Sequence, residues 1–271
     1  MLTKVEKFDI CKFVSKDRYQ DNKEIVNQLR NFFLDHCVFS HPILHVRVEF
    51  QDISKNIVEQ IHYDYRNAIV EIFTDALLAA SLSSIDLEKK YKLPSGSKII
   101  PRFLLMPNLI DEFGISVEES SLSGSVRDAH YPLFEEIICT MNPKNELISE
   151  ASTKLKNLLQ ENYNNYHIII TLLAVAELQV IYFTPFLKKI IFNDSYKYYK
   201  VHGISTVDES QASDDEHAEY LWACLALIVD QIDLHELKEI INTYLSLWND
   251  FWNYQIKKIE TNGRKNILTA S

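Results

Sequence analysis

The sequence predicts an all-α protein, and three observations carry that expectation. The 271 residues include only 5 glycines and 7 prolines, against roughly 30 at average usage, so turns are few and the elements between them long. Hydrophobic residues make up 46% of the chain and charged residues 24%, enough apolar material to close a sizeable core. Apolar side chains also recur at three- and four-residue spacing, the period of an amphipathic helix. Sandwiches, barrels and doubly wound sheets need more turns than this composition supplies, and a phosphate loop would have almost no glycine to draw on.

The elements follow in order. Residues 21–36 place Ile25, Leu29, Phe32 and Phe33 on one face, which predicts a first helix. Residues 40–50 contain His41-Pro42 and are expected to be a turn with little regular structure. Ser54 suits the N-cap of a long helix reaching about Ser83. After the loop KLPSGSK, Pro101 fits the first turn of a helix ending near Gly114. Residues 115–126 are polar and read as a connection. Helices are then expected over 127–141, 146–162 and 166–192, the last bent at Pro185. A helical stretch at 196–202 is interrupted by polar residues 203–213, and helix resumes over 214–230. A final amphipathic helix from Leu234 carries Leu237, Ile240, Ile241, Tyr244, Leu245, Trp248 and Trp252. About seven long helices make a bundle, and with no repeat or Pro/Ser-rich linker the whole of 1–271 is expected to be one domain.

Charge narrows the function. Against 28 Lys+Arg stand 38 Asp+Glu, a net charge of −10; with no basic stripe to offset it, nucleic-acid binding is not expected. Cys11, Cys37, Cys139 and Cys224 are far apart and form no CxxC pair, which points to a reduced, cytoplasmic setting and away from a thiolate metal site. No apolar signal segment opens the chain. The run 168–186 is interrupted by Glu177, Gln179 and Pro185, so a buried helix is expected there and not a membrane span.

Three features bear on chemistry. Glu177 sits inside IIITLLAVAELQVIYF, a stretch apolar on every side; a buried carboxylate there needs a Lys or Arg, a proton or a metal. In DDEH, Asp214 and His217 are at i and i+3 and share a helix face, although acidic residues also favour a solvated first turn. In NLIDEFG, Glu112 stands near a helix C-terminus, where the dipole disfavours it, and His130 in AHYPLF opens the next helix. With His202 in YYKVHG, these make three carboxylates and three imidazoles. That donor set suits Fe(II) or Mn(II), and six ligands suffice for two ions. The ferritin-like signature of two Glu-x-x-His motifs is absent, and so is HExxH.

NLIDEFG…AHYPLF, the glutamate of LLAVAELQVIYF and YYKVHG…DDEHAEYL resemble the three ligand-bearing segments of the haem-oxygenase-like di-metal oxidases. That family carries H-x3-D-x2-H on its last ligand helix; here removing 204–211 restores the pattern as His202, Asp214 and His217. The resemblance covers roughly 55–225 and implies a haem-oxygenase-like bundle with two non-haem iron ions, manganese also being admissible. Glu112, His130, Glu177, His202, Asp214 and His217 would then be metal ligands. A further family carboxylate on the early helix falls on Glu71, with Asp75 second, in a sector with Gln60, Asp64, Asn67 and Thr74 that reads equally well as a solvent face. The implied reaction is O2-dependent oxidation of a small organic molecule of amine, amino-acid or fatty-acid type, without a membrane or nucleic acid and with room for a homodimer.

Other classes stay open. A haem protein would use His36 or His41, and a thiaminase-like protein of the same fold would use Cys139. A non-enzymatic acidic interaction protein would present Trp248 and Trp252 to a partner. His41, His45 and His62 read as turn or surface histidines, and Tyr182, Phe183 and Phe186 as core.

Overall fold

The computed structural model describes residues 10–45, 53–118, 121–143, 147–191, 196–201 and 214–261. It is all-α, with a single short β-hairpin among the described residues. Helix α1, Lys16–Leu34, starts earlier than its apolar period suggests because the Ser15 hydroxyl accepts from Arg18 N at 3.3 Å. His41-Pro42 opens a helical turn, α2 (Pro42–His45), where irregular chain was expected; His41 Nδ1 accepts from Ile43 N and nucleates it.

From Ser54 one rod runs as α3 (Lys55–Tyr65), a widened π turn (Arg66–Val70) and α4 (Glu71–Ser83). Its polar sector does not face solvent. Gln60, Asp64 and Asn67 are buried, because other helices bring polar groups to meet them. Asp64 Oδ1 accepts from Ser149 N at 2.8 Å and its Oδ2 from Gln255 Nε2 at 2.5 Å, while Asn67 donates to Ser152 Oγ at 2.8 Å. His62 is also fully buried, against the surface position expected for it. Its Nδ1 donates to the Val58 carbonyl, and burial lowers its pKa to about 4 although that bond opposes the shift.

The chain continues through α5 (Asp86–Lys89), α6 (Ile99–Leu104) and α7 (Met106–Glu112). The 115–126 connection is a hairpin, β1 (Ile115–Glu118) with β2 (Ser121–Gly124), paired Ile115 to Gly124. Then come α8 (His130–Met141), α9 (Glu150–Glu161), α10 (Tyr166–Ile190), α11 (Tyr198–Val201), α12 (Asp214–Ala226) and α13 (Leu234–Thr261).

Helix α10 is the centre of the bundle. It packs along α12 and also meets α13 and α4. Both α10 and the 55–89 stretch are long and apolar enough to cross a membrane by length and composition, yet 72% of the α10 window and 50% of the other are buried inside the bundle. One apolar core runs from Ile10 to Ile259. The stripe of α13 closes it: Trp248 and Trp252 are fully buried, each with its ring centroid 5.1 Å from Phe183. These tryptophans are core and present no binding face to a partner. Phe183 and Phe186 pack inside as expected, whereas Tyr182 is 40% exposed because it points off the helix toward Phe39.

Asp64 supplies a test of this packing. Asp64→Ala leaves the Ser149 N–H and the Gln255 amide without an acceptor in the interior, so a loss of about 2–4 kcal/mol is expected, read by urea unfolding. A solvent-facing Asp64 would give no measurable change.

Candidate metal centre

Four helices deliver the carboxylates and imidazoles at the middle of the bundle. Glu177 comes from the centre of α10. Asp214 and His217 come from the first turn of α12, three residues apart and therefore on one face. Because α10 and α12 lie against each other, Glu177, Asp214 and His217, all buried, each present a donor atom within 4.8 Å of the other two. His217 Nδ1 is 4.0 Å from Glu177 Oε1. Donors around one ion at ordinary bond lengths sit about 3–4 Å apart, so small side-chain movements close the distance. This group can hold a metal ion, and its oxygen and imidazole donors fit a borderline-hard divalent cation.

Glu112, at the C-terminal end of α7, and His130, at the first position of α8, form the neighbouring pair. His130 Nδ1 lies 2.8 Å from Glu112 Oε1, and Thr74 Oγ1 of α4 donates to Glu112 Oε2 at 2.9 Å. The two are joined by the hairpin, and a glycine makes the junction. Gly114 has φ +65°, and a Cβ there would lie 2.3 Å from the Asp128 carbonyl carbon and 2.5 Å from Ala129 N. Only a residue without a side chain lets the chain leaving α7 touch the chain entering α8. That contact is what brings an imidazole to the end of a helix otherwise unfavourable to Glu112.

Two residues outside the expected set belong here. Asn108, one turn before Glu112, donates to Glu177 Oε1 at 3.0 Å. Asp111 Oδ2 is buried without a hydrogen bond, 3.6 Å from His130 Nε2, so His130 is flanked by two carboxylates. Both residues lie inside NLIDEFG; helical spacing from Glu112 was the available signal for Asn108, and only the turn at Gly114 brings in Asp111.

The electrostatics follow from burial and mutual repulsion. Glu177 is pushed well above the usual carboxylate range by burial first, then by Asp214, Glu112 and Asp111, with the Asn108 hydrogen bond opposing. Its partners among the described residues include no Lys or Arg. Burial alone would lower the His130 pKa; the charge and hydrogen bond of Glu112, with Asp111 and Asp214, outweigh it and raise the value to about 9. His217 is lowered by burial, against the pull of Asp111, Asp214 and Glu112. Burial and mutual repulsion therefore favour the protonated forms of Glu177 and His130.

The remaining candidates are placed elsewhere. His202 and the segment 204–211 lie outside the described residues. Glu71 pairs with Lys156 Nζ at 3.1 Å and lies 3.8 Å from Arg66, because the widened π turn puts Ile69, Val70 and Phe73 on the site's side of the rod and Glu71 off it; Asp75 is exposed. Cys139 is exposed on α8, away from the centre. His36 and His41 each use Nδ1 to accept a backbone N–H two residues on, and His41 Nε2 also meets Asn253 at 3.3 Å.

A cavity of about 30 Å³, measured as room for water centres, adjoins Glu112, His130 and Glu177 and is otherwise lined mainly by apolar side chains and tyrosines. The chain matches no known protein-family model and no curated protein.

The Gly114 junction is directly testable. Gly114→Ala combines a left-handed backbone with a clash against Asp128, costing at least ~2 kcal/mol in urea unfolding. It should also weaken metal uptake, because Glu112 and His130 are forced apart.

Proposed function

We propose that this chain is a haem-oxygenase-like non-haem di-iron protein that uses O2 to oxidise a small organic molecule of amine, amino-acid or fatty-acid type. One observation carries the proposal: Glu177, Asp214 and His217 are buried together with donor atoms within 4.8 Å of one another, and the groups that act on Glu177 among the described residues include no Lys or Arg. A salt-bridged core glutamate would have a Lys or Arg beside it, since a buried carboxylate without compensation costs several kcal/mol. Glu177, Asp214 and His217 hold the first ion. Glu112 and His130, with Asp111 at hand, hold the second. The order of these segments along the chain supports the resemblance to the haem-oxygenase-like oxidases.

Bound ferrous iron supplies the electrons for O2 activation. The protein's own part is placement and exclusion. Thr74 and Asn108 fix the carboxylates of Glu112 and Glu177, and hydrogen bonds of this kind tune ligands for their metal. Ile69, Val70, Phe73 and Val180 line the cavity beside them and limit the access of water to the reacting centre.

Anaerobic loading with Fe(II), followed by metal analysis and O2-uptake measurement, tests this. Two irons per chain and iron-dependent O2 consumption are expected; one iron would make the centre mononuclear, and none would remove the proposal. Because Glu177 and His130 must release protons to bind, iron affinity should rise with pH between 6 and 8.

Glu177→Gln separates a ligand from a structural residue. Glutamine keeps an acceptor for Asn108 and removes a carboxylate repelled by its neighbours, so the metal-free variant should melt at or above the wild-type temperature. Its metal affinity should fall more than about 100-fold, beyond the loss typical of a supporting residue. A drop of 3–5 kcal/mol in the metal-free state, the usual consequence of breaking a buried ion pair, would assign Glu177 a structural partner instead.

A further inference from the structure

The rod α3–α4 is the wall of the cavity opposite α10, and its regular winding fails just there. The five residues Arg66–Val70 form a π turn, a distortion that recurs at functional sites because it redirects side chains that a regular helix would spread apart. Here it puts the adjacent residues Ile69 and Val70 on the cavity together, with Tyr65 before them and Phe73 after. The turn is held from outside: Asn67 donates to Ser152 Oγ, which in turn donates to the Asp64 carbonyl at 2.9 Å.

Tyr65 is the anomaly in this wall. It is 1% exposed, lines the cavity, and its hydroxyl has no hydrogen-bond partner among the described residues. Its ring is fixed by Trp248, Phe134 and Phe251, with centroids 5.5, 6.1 and 6.4 Å away. A buried hydroxyl left unpaired is a stability cost, and phenylalanine would fill the same space without it. Glu112, His130 and Glu177 line the same cavity as Tyr65.

We infer that the Tyr65 hydroxyl is the hydrogen-bond donor of a small-ligand subsite beside Glu177, taking a compact molecule that presents one lone-pair oxygen or nitrogen on an apolar body. This rests on reading Glu177, Asp214 and His217 as a metal centre. The size fits a compact head group, since a single water needs roughly 10–15 Å³ of such space and the cavity offers about 30 Å³. The apolar body follows from the mouth. Phe73 and Val180 are the half-buried apolar members of the lining, so the rest of the ligand leaves between a phenyl ring and an isopropyl group. No Lys or Arg among the described residues lines the cavity, and its one imidazole, His130, is already paired with Glu112, so a second anionic group would find no free counter-charge there.

The test uses the full chain loaded with Co(II), whose visible absorption reports both metal uptake and the arrival of another ligand. Azide is the probe for the lone-pair head. Tyr65→Phe should bind Co(II) as wild type does and, without metal, melt at the same or a higher Tm. Its azide affinity should be about 10-fold weaker, the loss of one hydrogen bond. Butanoate should displace azide from the wild type, whereas succinate, identical but for a second carboxylate, should not. Full Co(II) binding with unchanged azide affinity in Tyr65→Phe overturns the subsite alone, and loss of Co(II) by that variant reassigns Tyr65 to the metal framework. Succinate displacing azide as well as butanoate does overturns the apolar body. A wild type that takes up no Co(II) overturns the metal reading and the subsite with it.

Discussion

The burial of the Glu177 carboxylate on the central helix, with no Lys or Arg beside it among the described residues, is the constraint on which the rest of the structure turns. An isolated charge at that depth would cost several kcal/mol, so the groups around it decide how it is accommodated. Helix α7 brings the Asn108 amide, and burial favours the protonated, uncharged form of Glu177. Asp214, Glu112 and Asp111 act in the opposite direction. A fold selected for stability alone would not gather four carboxylates around two imidazoles. A metal ion held by this group would resolve the conflict, because it would replace the protons and turn mutual repulsion into shared coordination.

Precise placement comes from rigid elements and one tight junction. The contact of α10 with α12 sets Glu177 against Asp214 and His217 across two regular helices, which position side chains better than loops do. The second pair depends on Gly114, since Glu112 and His130 are 18 residues apart in sequence and meet only because two backbone segments touch there. The hairpin between them can therefore change length without disturbing either residue. It carries exposed Leu122, with exposed Val126 just after it, outside the core. Stability is concentrated elsewhere, in the α13 aromatic stripe against α10 and in the polar strut from Asp64 to α9 and α13.

Several parts of this were legible in the residues themselves. Ser54 marks the start of its rod, the spacing from Leu237 to Trp252 marks a helix with one buried face, and Glu177 is conspicuous because everything near it is apolar. Each signal is local: a cap, a period or a solitary charge lies within one or two turns of chain. Other parts depend on who the neighbours are. The sector Gln60–Asp64–Asn67 has the composition of a solvent face, and only Ser149, Ser152 and Gln255 make it an interior one. Trp248 and Trp252 would serve equally well as partner-binding residues until Phe183 and Phe186 cover them. Glu71 looked like a ligand on its own helix, but Lys156 of another helix claims it.

The sequence by itself determined that the chain is helical, where most helices lie, and that Glu177 required a partner, because periodicity, capping and the cost of burying charge act along the chain. Tertiary structure decided which carboxylates and imidazoles share that interior, since their proximity depends on helix packing and on backbone contacts between residues far apart in sequence. It admitted Asn108 and Asp111, removed Glu71, and left the Tyr65 hydroxyl unpaired at the edge of the site. Whether a polar atom is satisfied is a property of its surroundings in space, and no local pattern of residues encodes it.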